Sequence, residues 1–330
     1  MTRTREIQLA SRPVGWPTPD DFRTVETELA DPGPGEVLVR NTFMSVDPYM
    51  RGRMSERTSY VPSYRLDAPL DGGAVGEVVA SGDDAVPVGA TVLHQLGWRE
   101  HALLSADQVR VVDTTAVPAS AYLGMLGMPG LTAYVGLTRI AQLKEGDRVL
   151  VSGAAGAVGS AVGQMAKLMG ASTVVGSAGS AEKVAWLREI GYDAAFDYHG
   201  GVASQMGEHG PYDVYFDNVG GEHLEAALLH LADFGRVAAC GAISTYNDTE
   251  PAPGPRTIGL VVVKRLTLRG FIVSDHAEVA GEFYSRAGAW LAEGKLVQKE
   301  TVVEGLEHAV DGFLDLLRGG NTGKMLVRLG

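Results

Sequence analysis

The segment from residue 148 to residue 170 limits the fold more than any other. Arg148-Val-Leu-Val-Ser152 has the continuous apolar character of a strand covered on both faces. Gly153-Ala-Ala-Gly156-Ala-Val-Gly159 then turns the chain, and Ser160 to Met169 carries helical spacing closed by Gly170. The same beat continues. Thr173-Val-Val175 reads as a second strand, Ala181 to Ile190 as a helix stopped by Gly191, and Ala194-Ala-Phe-Asp197 as a third strand. Tyr212 to Asp217, Glu222 to Leu231 and Gly235 to Gly241 supply strand, helix and strand again. Apolar runs alternating with helices cover both faces of a parallel sheet, so an α/β fold with a doubly wound parallel sheet is expected.

The turn indicates what such a sheet could hold. Gly153, Gly156 and Gly159 are spaced GxxGxxG, not the commoner GxGxxG. The physical demands are equal: a tight bend, a backbone with no side chain beside a pyrophosphate, and a helix N-terminus aimed at negative charge. The identity of a dinucleotide is read about 20 residues further on, where an acidic side chain at the end of the second strand would take the ribose 2′-hydroxyl of NAD. Gly176 and Ser177 stand at that strand's expected end, and no carboxylate does. A small residue leaves room for a 2′-phosphate. Lys183, in the first turn of the next helix, is a cation where the helix dipole disfavours one, which points to an anionic partner. NADPH is therefore expected over NADH.

The flanks differ in texture. Before residue 122 the chain shows short β-like runs broken by Pro and Gly, among them Glu36 to Arg40, Gly76 to Gly82 and Gln108 to Val112, as in a compact β domain. After a helix near Val279 to Ala292, a short strand from Val302, a helix near Leu306 to Leu317 and a strand from Lys324 to Arg328 resemble that first part more than the middle. The expected organisation is a β domain of residues 1–122 and 302–330 with a nucleotide domain of residues 123–301 inserted. With 28 basic against 40 acidic side chains and no Lys/Arg cluster, the net charge of −12 weighs against nucleic acid as a partner. Cys240 is the one cysteine, and apolar runs such as Ile258 to Val263 are far short of the ~18 residues of a membrane span, so a cytoplasmic setting is expected. The eight histidines form no H-x₃₋₅-H pair, and no metal site is expected. A hydride-transfer enzyme of this kind would polarise its substrate by hydrogen bonding.

Five motifs then occur in order: Val46-Asp-Pro-Tyr-Met-Arg51, Leu126-Gly-Met-Pro-Gly-Leu-Thr-Ala-Tyr134, the turn from Asp147 to Ser160, Phe216-Asp-Asn-Val-Gly-Gly221 and Cys240-Gly-Ala-Ile-Ser-Thr-Tyr246. Together they resemble the zinc-independent medium-chain dehydrogenase/reductases, within them the leukotriene B4 dehydrogenase, prostaglandin reductase and curcumin reductase group. Where zinc-bearing relatives carry Gly-His-Glu, this chain has Asp71-Gly72-Gly73. The resemblance implies a GroES-like β domain with an inserted Rossmann domain, a homodimer, and NADPH-dependent reduction of a C=C bond conjugated to a carbonyl in the cleft between the domains. With Gly153 and Gly156 read as the turn and Gly176 as the space for a 2′-phosphate, it implies that Ala157, Val158, Gly159 and Ser160 meet the pyrophosphate, and that Lys183 and Tyr198 meet the 2′-phosphate. The rest of the cofactor falls to Asn218, to Cys240, Gly241, Ala242, Ile243, Ser244, Thr245 and Tyr246, to Phe271, Ile272 and Val273, and to Asn321 on the returning C-terminus.

The same resemblance proposes Tyr246 and Tyr60 as hydrogen-bond donors to the developing enolate, since a phenol of pKa near 10 can donate without prior ionisation. Some relatives place a tyrosine where this chain has Val263. Tyr49, Tyr64 and Met128 are candidate substrate contacts, with packing as the alternative for the two tyrosines. Arg51 and Arg53 read as solvated surface residues or as attractors of an acidic substrate tail, Asp47 as a turn residue before a base. Loops around 55–70 and 246–264 would set substrate size. Two other readings remain open: a quinone reductase, and a nucleotide-binding protein without turnover.

Overall fold

A computed structural model describes residues 1–56 and 59–330; residues 57 and 58, within the 55–70 loop, lie outside it. The chain divides into two compact units, one of Met1–Leu123 with Glu300–Gly330 and one of Gly124–Lys299. In chain order the first stretch supplies β1 (Thr2–Leu9), β2 (Phe22–Leu29), β3 (Glu36–Ser45), the single turn α1 (Met50–Arg53), β4 (Ala74–Ser81), β5 (Thr91–His94), β6 (His101–Ser105) and β7 (Arg110–Val111). The middle stretch runs α2 (Met128–Val135), β8 (Arg148–Val151), α3 (Ala157–Leu168), β9 (Thr173–Ala178), α4 (Ala181–Glu189), β10 (Ala194–Asp197) and α5 (Val202–His209). It continues with β11 (Tyr212–Asp217), α6 (Gly221–His230), β12 (Leu231–Ala239), α7 (Leu260–Val263), β13 (Thr267–Gly270) and α8 (Ala280–Ala292). The chain then returns with β14 (Glu300–Glu304), α9 (Ala309–Leu317) and β15 (Lys324–Arg328).

In the second unit six strands form one sheet in the order β10-β9-β8-β11-β12-β13, every pairing parallel. Numbered from β8, that order is 3-2-1-4-5-6, the Rossmann arrangement, and its direction of winding reverses between β8 and β11. Val149, Leu150, Val151, Val174, Val175, Tyr215 and Phe216 are fully buried, as a sheet covered on both faces requires. One boundary differs from expectation with consequence for the site. β9 does not stop at Val175 but pairs on through Gly176, Ser177 and Ala178, because β8 and β10 flank it to Val151 and Asp197.

In the first unit seven strands form a mixed sheet, β14-β15-β3-β4-β5-β7 with β6 also on β3, beside the separate β1-β2 hairpin. β15 lies antiparallel to β3 at Phe43–Ser45, so residues from both ends of the chain share one core. There Trp98 stacks on Phe22 at 6.4 Å and meets Phe313 of α9 edge-on at 6.1 Å, packed with Ile7, Leu9, Met44 and Val327. Each such side chain contributes about 1.5–3 kcal/mol on burial. A buried ion pair adds a fixed point. Lys324 of β15 donates to Asp47 Oδ1 at 3.0 Å and to the carbonyls of Val46 and Met325 at 2.8 and 2.9 Å, while Asp47 Oδ2 accepts the Ser45 hydroxyl. Asp47 is thus a paired, buried carboxylate with no proton-transfer role visible in its contacts.

Candidate active site

The glycine turn sits at the C-terminal end of β8, where the sheet reverses. Gly153 has φ +58°, a conformation that disfavours a side chain, and its carbonyl accepts the Gly156 amide at 3.0 Å to close the bend. A Cβ on Gly159 would lie 2.4 Å from the Gly153 oxygen and 2.6 Å from the Ala154 Cα, so only glycine lets α3 start this close to the strand. Gly156 caps α3 in extended backbone, no side chain caps the helix, and no acidic residue stands in its first turn, which holds Ala157, Val158, Gly159 and Ser160. The leading amides therefore present a helix N-terminus suited to an anion.

Beside it, at the end of β11, Asp217 organises the rim. Its Oδ1 accepts the hydroxyls of Ser152 and Tyr215 at 3.0 and 2.7 Å and the amides of Val219 and Gly220 at 3.0 and 2.9 Å. Its carbonyl takes the amides of Cys240 and Gly241 at 2.9 and 3.0 Å. Asn218 donates from Nδ2 to the Ser152 carbonyl at 2.8 Å and from its amide to the Ser152 hydroxyl at 3.0 Å. The loop of residues 240–246 is laid against this: Ile243 and Ser244 donate backbone amides to Asn218 and Val219, and the Ser244 hydroxyl reaches the Val219 carbonyl at 2.6 Å. Thr245 and Ala242 close the loop on themselves, and the Tyr246 phenol oxygen accepts the Ala242 amide at 3.4 Å, a contact that uses a lone pair and not the hydroxyl proton. Burial, with Asp217 next, pushes the Cys240 thiol up to about 12, so it is a protonated packing group. Phe271 follows β13 and meets Phe216 edge-on at 6.3 Å; Ile272 is extended and Val273 opens a turn.

The outer part of the rim corrects one expectation. Gly176 is inside β9, and the place of its missing side chain is filled, with the Ala154 Cβ and the Tyr192 ring each 2.8 Å away. Its smallness serves packing and leaves no open volume. The strand ends instead at Ala178, which carries no charge. Beyond it Ser180 caps α4 by accepting the Lys183 amide at 3.3 Å, and Tyr198, which follows β10, lies with its hydroxyl 2.9 Å from where a Gly179 Cβ would stand. Ser177 is buried with no hydrogen-bond partner for its hydroxyl among the described residues.

The remaining candidates are Met128, half-exposed in the first turn of α2, and six residues of the first unit. Tyr60 is exposed. Tyr49 precedes α1, its phenol pushed up by burial and by Asp47, which keeps it protonated. Tyr64 is a packing residue: it is buried, donates to the Asp71 carbonyl at 2.7 Å and lies under the Arg53 guanidinium at 4.0 Å. Asn321 is buried and donates to the Gly323 carbonyl at 2.7 Å. Arg51 and Arg53 are not solvated. Arg53 is buried, pairs with Asp71 and donates to Pro62 at 2.9 Å, and Arg51 is buried with the Gly15 carbonyl at 2.7 Å, so carbonyls remote in sequence account for what composition read as surface charge.

Comparison with known proteins agrees with this fold. Residues 5–112 match a family described as the N-terminal domain of oxidoreductase, and residues 157–289 one described as zinc-binding dehydrogenase. The chain is 41% identical to the NADPH-dependent curcumin reductase of Escherichia coli over 99% of its length and 97% of the relative's, and 42% identical to prostaglandin reductase 1 of Bos taurus over 99% and 100%. The crystal structure of CurA in complex with NADPH from Vibrio vulnificus superposes with a TM-score of 0.94 at 40% identity, covering 99% of each chain. The chain belongs to the zinc-independent medium-chain dehydrogenase/reductases. In this member of the family, no cluster of three or more His, Cys, Asp or Glu among the described residues could hold a metal ion. The uncapped α3 terminus, the turn that admits no Cβ at Gly159 and the uncharged end of β9 fit a phosphorylated dinucleotide. Sequence reasoning passed over Ser152 and Asp217, the pair that fixes the rim; a hydroxyl and a carboxylate as the last polar residues of two adjacent strands are the signal that could have found them.

Proposed function

We propose that this protein is an NADPH-dependent reductase of the C=C bond of α,β-unsaturated aldehydes and ketones. The observation that carries the reading is the glycine turn at the point where the sheet reverses, beside a β9 end that bears no carboxylate, in a chain over 40% identical to a named curcumin reductase and a named prostaglandin reductase. The second unit is the cofactor domain and the first the substrate domain. When bound, the reduced nicotinamide supplies a hydride for the β-carbon. The turn of residues 153–160 holds the pyrophosphate at the N-terminus of α3, and Lys183 and Tyr198 hold the 2′-phosphate. Asn218, the 240–246 loop, Phe271 to Val273 and Asn321 orient the remainder of the cofactor. As charge gathers on the substrate's carbonyl oxygen, Tyr246 or Tyr60 donates a hydrogen bond to it, and Tyr49 and Met128 are further candidate substrate contacts.

A homodimer working in the cytoplasm goes with this reading; among the described residues no helix is long and apolar enough to cross a membrane. The test is loss of the reduced-nicotinamide absorbance with 2-alkenals, cyclic enones, curcumin-like dienones and quinones as acceptors, with native mass measured in parallel. Turnover of enals or enones with NADPH is the expected outcome. Preference for quinones would transfer the assignment to quinone reduction, and tight NADPH binding with no turnover of any acceptor would refute both.

A further inference from the structure

The place where a 2′-phosphate would be read is supported from behind by a residue with no assigned role. Tyr198 meets two segments distant in sequence, at Gly179 and at His223, as well as its own neighbour His199. Its hydroxyl and ring edge lie 2.9 and 3.2 Å from the position of a Gly179 Cβ, so the phenol rests on the backbone of the turn that leads through Ser180 to Lys183. His199 stacks on it at 4.3 Å, tilted by 36°. His223, from the first turn of α6, meets it edge-on at 5.3 Å and 77°.

His223 is an unusual choice for that position. It is only 6% exposed, and its Nε2 has no hydrogen-bond partner among the described residues, an unfavourable arrangement for a buried polar atom. Burial holds the imidazole below its ordinary range, which keeps it neutral and able to pack as an aromatic ring. What the ring supplies is a flat edge of fixed shape against a phenol, the geometry aromatic pairs prefer. An aliphatic side chain fills volume there without fixing the tilt of Tyr198.

We propose that His223 is a positioning residue for cofactor selectivity: its ring edge keeps the Tyr198 phenol seated on Gly179, and so maintains the preference for a 2′-phosphorylated dinucleotide. This rests on the reading that Lys183 and Tyr198 hold the 2′-phosphate. Dissociation constants for NADPH and NADH, taken from the fluorescence of the bound reduced nicotinamide, test the two ideas separately. His223→Ala should lower the NADPH-over-NADH preference about tenfold, as a misplaced contact group does, with NADH affinity and kcat at saturating NADPH within about twofold of wild type. His223→Phe, which keeps the ring edge, should retain the preference. His223→Leu should lose it as the alanine variant does, and carries the test should that variant fail to fold.

Loss in the phenylalanine variant as large as in the leucine variant would overturn the ring-edge role. Equal losses for NADPH and NADH would reduce His223 to a folding residue and overturn it as well. Lys183→Ala is the control: if it leaves the preference unchanged, the 2′-phosphate reading itself is wrong, whereas loss there with none in His223→Leu overturns only the positioning role.

Discussion

Asp217→Ala tests the construction of the site at its centre. The Asp217 Oδ1 accepts four hydrogen bonds between 2.7 and 3.0 Å in a position that is 2% exposed. Alanine takes the acceptor from all four. The Ser152 and Tyr215 hydroxyls can rotate toward other acceptors, but the Val219 and Gly220 amides are fixed by the backbone, and each buried donor left unpaired costs about 1–3 kcal/mol. At about 2 kcal/mol for each amide, the second unit loses roughly 4 kcal/mol. For a domain of about 150–250 residues, that lowers Tm by about 8–16 °C. Asparagine keeps an acceptor oxygen and removes only the charge, so Asp217→Asn should lose about half as much. NADPH affinity should fall with stability in both variants, because Asn218 and Val219 also anchor Ile243 and Ser244. Thermal melting and cofactor titration are the assays. An alanine variant that melts within about 2 °C of wild type, below the shift expected for even one unpaired amide, would refute the view that this carboxylate holds the rim together.

Other outcomes follow from the same contacts. Gly159→Ala forces a Cβ to 2.4 Å from the Gly153 oxygen, a backbone atom that cannot yield, and should destabilise by about 1–3 kcal/mol while weakening NADPH; unchanged affinity would remove the turn from the cofactor site. Tyr246→Phe or Tyr60→Phe should lower kcat by about 100-fold with cofactor affinity nearly intact, and unchanged rates in both would eliminate the phenol donor. His94, buried between the Asn41 Oδ1 at 2.9 Å and the Leu96 amide at 3.1 Å, is depressed to about 4 by burial, with Arg99 a smaller cause. The unfolded chain binds this proton near pH 6.5 and the folded one does not, so the stabilisation is complete above that pH. It is lost as pH falls toward 4, by about 3 kcal/mol at most. Melting curves of His94→Gln should vary less across that window than those of wild type, and parallel profiles would discount His94.

The sequence exposed most of the parallel sheet because its strands are apolar throughout and its turns are marked by glycine. Ala194–Asp197 and Tyr212–Asp217 lie where they were read. The end of β9 was hidden, since Gly176, Ser177 and Ala178 look like loop residues and remain in strand because β10 pairs with all three and β8 with Gly176. The partners of Arg51 and Arg53 were hidden for a similar reason: Gly15, Pro62 and Asp71 offer oxygens that no local pattern connects to α1. The glycine turn was legible because its requirement is local. Asp217 was not, because its four donors come from Ser152 just past β8, from β11 and from the loop that follows β11.

The interrupted first unit also dictates an order of events during synthesis. Residues 124–299 contain every strand of their own sheet, so that sheet can form as soon as β13 emerges. The earlier-made β3 pairs with β6 along Glu36–Arg40, but its Phe43–Ser45 half waits for Leu326–Arg328, and Asp47 waits for Lys324. Domains generally fold in the order in which the ribosome makes them. Here a segment translated before the inserted unit is completed after it, and until then it presents an open strand edge of the kind that recruits other chains. Loss of the last few residues should therefore be felt less as fraying of an end than as aggregation of the nascent protein.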